Sequence, residues 1–474
     1  MSGIKYNFST VLMGLLTIAF IGCSTDDDDP APTAITVSTS DFSITMDENP
    51  SPGQIIGSVE GSTNQGKVTF ILGEQNPPGA LAINNTSGEL RVADEKLFDF
   101  EINPVITGNV RVYNGEVSKF AKVTITLIDV EETNVFEGNI HLKSQQEVDD
   151  FGLQQYTHVT GDLRIGEYQD SWSDIEDLTP LRNLTTLDGN LILAFNGKLI
   201  STLGLENVFK VGGDLEVARN RVLERVEGLQ KITSLTGSIL FLENFALENL
   251  DGLNQITNVG ENVTFYDTPK LKNLDWMVNI TTIGGFLSIG YTGINEVNGL
   301  SNLRSLATDL FLSHNPSLKN LDGLGNLSTN INHLNLRMNK SLTSIKGIRN
   351  INVTGRVEIY SNKLLESLDG LQGIKNPSNL SIGDTGIVNL EGLNNLTSVK
   401  GDFSVGNNWN LKSLSGLDAL NNIDGIFGVH TNYFLKDFCE LRDFLTNGNV
   451  GSFEATGNSF NPSKQDIIDG NCKI

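Results

Sequence analysis

Histidine and cysteine are both scarce in this chain, at five and three of 474 residues. The histidines His141, His158, His314, His333 and His430 are scattered and form no H-E-x-x-H or similar spacing, which excludes the familiar helical zinc motif. No G-x-S-x-G elbow, phosphate-cradling glycine loop or catalytic cysteine signature is present. Positive charge is also short, with 33 Lys and Arg against 57 Asp and Glu for a net charge of -24. A phosphate backbone is therefore an unfavourable partner, and no nucleic acid is expected. Long apolar runs are missing: Val11 to Gly22 gives 12 residues, well below the roughly 20 that span a bilayer.

That short run follows Lys5 and reads as a signal peptide over residues 1–22. Its end, "FIGC" (Phe20 to Cys23), resembles the bacterial lipoprotein cleavage box. The resemblance implies a lipid on Cys23, the lipid bilayer as a partner, and a place on the bacterial outer membrane. Residues 23–33 then form an acidic tether, with Asp26 to Asp29 too charged to pack. This run is similar to the surface-export tags of lipoproteins in Bacteroidetes-type bacteria, which implies a chain facing outside. With Cys23 lipidated, Cys439 and Cys472 remain as a disulfide pair.

From residue 34 to 132, short runs rich in Val, Ile, Thr and Phe ("GKVTFIL", "GNVRVY", "AKVTITLIDV") alternate with Gly, Pro and Asn clusters. The pattern predicts a small β-sandwich. The order "DENPSPGQIIGSV", "ALAINNTSGELRVADEKLFDFE", "KVTITLIDVEE" resembles a cadherin repeat. That resemblance implies Ca²⁺ as a cofactor, with Glu48, Asp99, Glu101, Asp129 and Glu131 as ligands. Several carboxylates suit an ion that takes six to eight oxygens. The chain departs from the family at the D-x-D-like turn, which here is "VYNGE" with Asn114.

Beyond residue 136 one unit recurs. Octets of the form G-x-L-x-V-x-x-N ("GNLILAFN", "GDLEVARN", "GRVEIYSN") start at 189, 213, 237, 261, 285, 308, 332, 355, 378, 401 and 425, a spacing of 23 or 24. Each is followed by L-x-x-L-x-G-L, as in "LENLDGL". Alternation turns the third and fifth positions inward, for example Leu215 and Val217, and the second, fourth and sixth toward water. The eighth position is always Asn or Thr, from Asn196 and Asn220 to Asn432. Such residues are expected to form an internal polar ladder that pairs buried backbone groups.

One repeat cannot bury its own apolar side, so repeats must stack, at roughly 4.8 Å each, into about 14 coils some 65 Å long. The expected fold class is mainly β, an N-terminal sandwich plus a right-handed parallel β-helix or leucine-rich-repeat-like solenoid over 136–474. A helix in "SQQEVDDFGLQQY" would cap the first coil, and about 436–474, clipped by Cys439 and Cys472, the last. The opening "GNIHLKSQQEVDDF" with repeated "GDLRI" and "LDGL" resembles the receptor L-domain, a leucine-rich ligand-binding module without catalytic residues.

Leu240, Leu242, Tyr266, Phe286 and Phe311 fall at outward positions of four successive octets and are expected to form one apolar and aromatic ligand-binding strip. The functional expectation is a non-enzymatic, lipid-anchored surface protein for adhesion or capture of a protein or glycan ligand. Two alternatives stand beside it. Outward carboxylates at Asp214, Glu216, Asp309, Glu358 and Asp402 could serve a polysaccharide-degrading enzyme, and a passive spacer would bind nothing.

Overall fold

The computed structural model describes residues 33–130, 134–168 and 171–474. The chain divides into two units, Met1–Glu131 and Glu132–Ile474. The expectations placed on the signal segment, on Cys23, on most of the acidic tether and on Glu131 lie outside the described residues.

The first unit is built from nine strands: β1 (Val37–Thr39), β2 (Phe42–Asp47), β3 (Ile55–Ser58), β4 (Gly61–Thr63), β5 (Thr69–Asn76), β6 (Leu81–Ile83), β7 (Glu89–Val92), β8 (Val105–Tyr113) and β9 (Ser118–Ile128). One sheet has the order β2-β9-β8-β5, a second the order β3-β7-β6, and β1 pairs with β4. Period-two alternation explains β9: Ala121, Val123, Ile125 and Leu127 are buried while Lys122 and Thr126 point away. These side chains join Phe70, Leu90, Phe98 and Ile106 in one core. The departure at Asn114 has a local reason. Its side-chain oxygen accepts from the Glu116 and Val117 N–H groups and so closes the β8–β9 hairpin.

The second unit carries a sheet of 15 strands. It begins with Ile140–Leu142 and Leu163–Ile165 and continues strand by strand, in parallel, to Asn422–His430 and Asn449–Thr456. Equivalent octet positions lie opposite one another, Leu215 against Ile239 and Val217 against Phe241, so the sequence spacing and the hydrogen-bonding register coincide. A second row of two-residue strands runs alongside, such as Thr186–Leu187 beside Lys210–Val211. Several of the L-x-G-L motifs form short 3-10 helices, such as Asp251–Leu253 and Asp322–Leu324, as does the equivalent Lys346–Ile348. Between these layers the inward Leu, Ile, Val and Phe side chains form one continuous core from Leu142 to Cys472.

The turn that ends each octet explains its fixed eighth residue. In every octet the seventh residue has positive φ, from Phe195 (59°) through Tyr291 (57°) to Thr431 (56°). This left-handed step leaves backbone groups facing inward. The asparagine of the next repeat pairs two of them. Asn220 Oδ1 accepts from the Asn196 N–H at 3.2 Å, and Asn220 Nδ2 donates to the Leu193 carbonyl at 2.9 Å. Asn244, Asn339 and Asn432 repeat both bonds on their own preceding repeats.

Both ends are covered. A helix at Gln145–Gly152, with Ser144 accepting from the Glu147 N–H as its N-cap, buries Val148 and Phe151. At the other end Cys439 and Cys472 are joined by a disulfide that closes 33 residues. Loop-entropy arguments give such a closure about 3–4 kcal/mol. The helix Lys464–Ile468 lies within the closed segment and carries a capping box between Ser463 and Asp466.

Candidate functional site

The outward face of the long sheet has three columns, set by the second, fourth and sixth octet positions. The fourth runs Glu216, Leu240, Thr264, Ser288, Phe311, Asn335, Glu358 across successive strands. The sixth runs Leu242, Tyr266, Gly290, Ser313, Arg337, Tyr360. The expected single strip therefore divides. Tyr266, 46% exposed, lies opposite Leu242 and packs edge-on against Tyr291, ring centroids 5.1 Å apart. Phe286 and Phe311, both half-buried, meet at 6.2 Å. Leu240 stands in a column with Phe311 but three strands away, with Thr264 and Ser288 between them. The five residues are spread over three columns, Phe286 in the second, Leu240 and Phe311 in the fourth, Leu242 and Tyr266 in the sixth, and positions two apart on a strand are separated by roughly 7 Å.

Sequence reasoning missed the seventh-position residues as a surface. Tyr291 stacks on His314 at 4.1 Å with ring planes 11° apart, extending the Tyr266 patch around the turn. Burial, reinforced by the Arg337 charge, holds the His314 imidazolium below its ordinary range. No sequence signal marked them, because the left-handed turn that throws the seventh side chain outward beside the sixth is taken by residues of every kind.

The second column is a ladder that the octet pattern did not announce. Asn190 Oδ1 accepts from the Asp214 N–H at 2.6 Å, Asp214 from the Ser238 N–H at 2.6 Å, and Asn262 from the Phe286 N–H at 3.0 Å. Asp309 accepts from His333 at 2.9 Å and Asp402 from Ile426 at 2.8 Å. Three of the carboxylates with a catalytic reading thus hold the backbone where each chain segment enters its strand. Glu216 stands alone in the fourth column between Ile192 and Leu240. Glu358 is bound up with its neighbours: Asn335 Nδ2 donates to it at 2.9 Å, and Arg356 and Arg337 lie at 3.4 and 3.8 Å.

In the first unit Glu48, Glu101 and Asp129 each present a carboxylate oxygen within 4.8 Å of the other two. Glu48 is 4% exposed, and its two oxygens accept from the Phe100 N–H at 2.6 Å and the Val130 N–H at 2.8 Å. Its position is therefore fixed by the turn that precedes β8 and by the backbone just past β9. Asp99 is outside that trio; its Oδ1 accepts from the Ile102 N–H at 2.9 Å. Desolvation pushes the Glu101 carboxyl above the ordinary range, and the charges of Glu48, Asp129 and Asp99 push the same way. Oxygens up to 4.8 Å apart match ligands on opposite sides of an ion with metal–oxygen distances of about 2.4 Å. The donor chemistry fits calcium, with water left to complete the shell.

No family model matches the chain, and no curated protein does. Among solved structures it shows weak similarity to cadherin ectodomains. Protocadherin gamma B2 extracellular domains 3–6 match at 21% identity and a TM-score of 0.19, covering 22% of this chain and 26% of that one. Drosophila N-cadherin EC1-4 matches at 22% identity and 0.19, covering 22% and 28%. The human desmocollin-1 ectodomain matches at 17% identity and 0.18, covering 21% and 22%. The chain spans about a quarter of the length of each.

Proposed function

We propose that this is a lipid-anchored protein of the bacterial cell surface, used for adhesion or ligand capture. In this reading the second unit is a receptor L-domain-like solenoid of about 14 coils that presents its long sheet to a protein or glycan. The observation that carries it is the outward face itself. Exposed or half-exposed aromatic groups gather there in two patches, Tyr266 with Tyr291 and Phe286 with Phe311, beside polar neighbours such as Thr264, Ser288, Ser313 and Asn335. Aromatic clusters framed by polar groups are the composition of recognition surfaces. The anchor rests on Cys23 and the apolar run before it.

Replacing Tyr266, Phe286 and Phe311 together with Ala is expected to reduce attachment to cells or surface polymers by tenfold or more, about 1.4 kcal/mol. Far-ultraviolet circular dichroism should stay the same, since these side chains lie outside the core. Unchanged attachment would reject the face as the binding surface.

Calcium at Glu48, Glu101 and Asp129 belongs to the same reading. Because Glu101 binds its proton more tightly when folded, the metal-free protein gains stability at low pH. It loses that contribution as pH rises through the folded value, above the ordinary glutamate range. Calcium should reverse the trend at pH 7, raising stability by about 2.7 kcal/mol at 100 times Kd. Glu101→Gln should flatten the pH dependence and remove most of the calcium response. Thermal unfolding with calcium or a chelator measures both, and an identical response in native and Glu101→Gln protein would reject the site.

A further inference from the structure

On the outward face of the long sheet, next to the Phe286–Phe311 pair, lies a depression of about 330 Å³ lined by Phe311, His333, Leu334, Asn335, Arg356 and Glu358. Its walls follow from register. Phe311, Asn335 and Glu358 are successive members of the fourth column, and His333 and Arg356 are neighbours in the second. The size falls in the range of small-ligand sites and is too small for a folded partner.

The lining groups divide into an apolar platform and fixed polar groups. Phe311 is braced by Phe286, with ring planes tilted by 58°. His333 Nδ1 accepts from the Arg356 N–H at 3.0 Å, so its proton sits on Nε2 and makes that nitrogen a donor. Asn335 is oriented by its bond to Glu358, while its Oδ1 is buried without a hydrogen-bond partner. An unpaired buried acceptor is unfavourable, and a ligand hydroxyl that reaches it after a small rotation of the amide relieves that cost. Arg356 supplies guanidinium donors and Glu358 carboxylate acceptors, and their ion pair holds both in place.

Charge narrows the ligand. The lining carries one guanidinium, Arg356, and one carboxylate, Glu358, so it is locally balanced, and Arg337 reaches Glu358 from outside the lining. The chain as a whole carries -24 and repels anions, while the two guanidiniums repel a cation. What suits an aromatic platform ringed by fixed donors and acceptors without net charge is a neutral, polyhydroxylated ring with one C–H face. We infer that the depression at Phe311, His333, Asn335, Arg356 and Glu358 is a subsite for one sugar residue of a neutral glycan. This deepens the surface-binding reading and rests on it.

The test is titration calorimetry of the full chain with neutral mannan, xylan and β-glucan oligosaccharides, and with an oligogalacturonate as the acidic control. A neutral oligosaccharide should bind, and Phe311→Ala and Arg356→Ala should each weaken it about tenfold, with Tyr433→Ala, elsewhere on the unit, unchanged. Arg356 is largely exposed, so its variant tests the site even if Phe311→Ala disturbs the sheet. Binding to the acidic probe alone, or neutral binding insensitive to both variants, overturns the subsite. If no neutral probe binds while the triple aromatic variant still loses attachment, the sugar assignment falls and the binding face stands. If neither assay responds, both fall.

Discussion

Asn339→Ala is expected to destabilise the second unit by about 2–6 kcal/mol. Asn339 is fully buried; its Oδ1 accepts from the Asn315 N–H at 3.1 Å and its Nδ2 donates to the Leu312 carbonyl at 2.8 Å. Alanine leaves both backbone groups buried and unpaired, at about 1–3 kcal/mol each. Asn339→Asp should be no better, because it keeps the acceptor, removes the donor and buries a charge. Asn339→Thr should be milder, since Thr292 already stands in the ladder and donates to Asn315 Oδ1 at 2.7 Å. Urea unfolding followed by fluorescence of buried Trp276, with hydrogen exchange to locate the loss, measures the series. A cost for the alanine variant below about 1 kcal/mol would remove the ladder as a stabilising device.

Gly347→Ala is the second large effect, and it acts by crowding. A Cβ on Gly347 would sit 1.7 Å from the Leu321 carbonyl oxygen of the preceding repeat, where no atom fits. Gly323 and Gly299 stand in the same relation to Val297 and Leu274, at 1.9 and 1.8 Å. The obstacle is backbone and cannot rotate away, so the repeats must part locally. A loss above about 3 kcal/mol follows, at the upper end of overpacking costs. Gly325→Ala is the matched control, because its nearest neighbour is at 3.2 Å and belongs to its own turn. Equal stability of the two variants would reject close stacking as the reason for glycine in L-x-G-L.

These two positions also mark what a sequence can and cannot disclose here. The eighth-position asparagines were legible because a polar residue recurring at fixed distance from two inward apolar ones has a single physical use. The parallel register was legible for the same reason, since 23 or 24 residues return each octet to its own kind. The binding face was only partly so. Outwardness could be read from alternation, but adjacency could not, because Phe286 and Tyr266 occupy second and sixth positions in neighbouring octets and stand in separate columns. Asp214 misled for a related reason: charge at an outward position looks the same whether it meets solvent or caps the next strand. The Tyr291–His314 stack depends on a left-handed residue that leaves no compositional trace, as the eleven seventh-position residues range from Phe195 to Asp384.

The constant register bears on how the protein comes to be folded. Partners in the asparagine ladder are separated by about 24 residues of chain, as Asn220 and Asn244 are, and that interval does not grow as repeats are added. Contact order therefore stays low for so long a parallel sheet, a topology that is otherwise slow to form. Each repeat needs only its predecessor as a template, so a nucleus can extend one repeat at a time. Lengthening or shortening the sheet by one whole repeat should then leave the folding rate nearly constant.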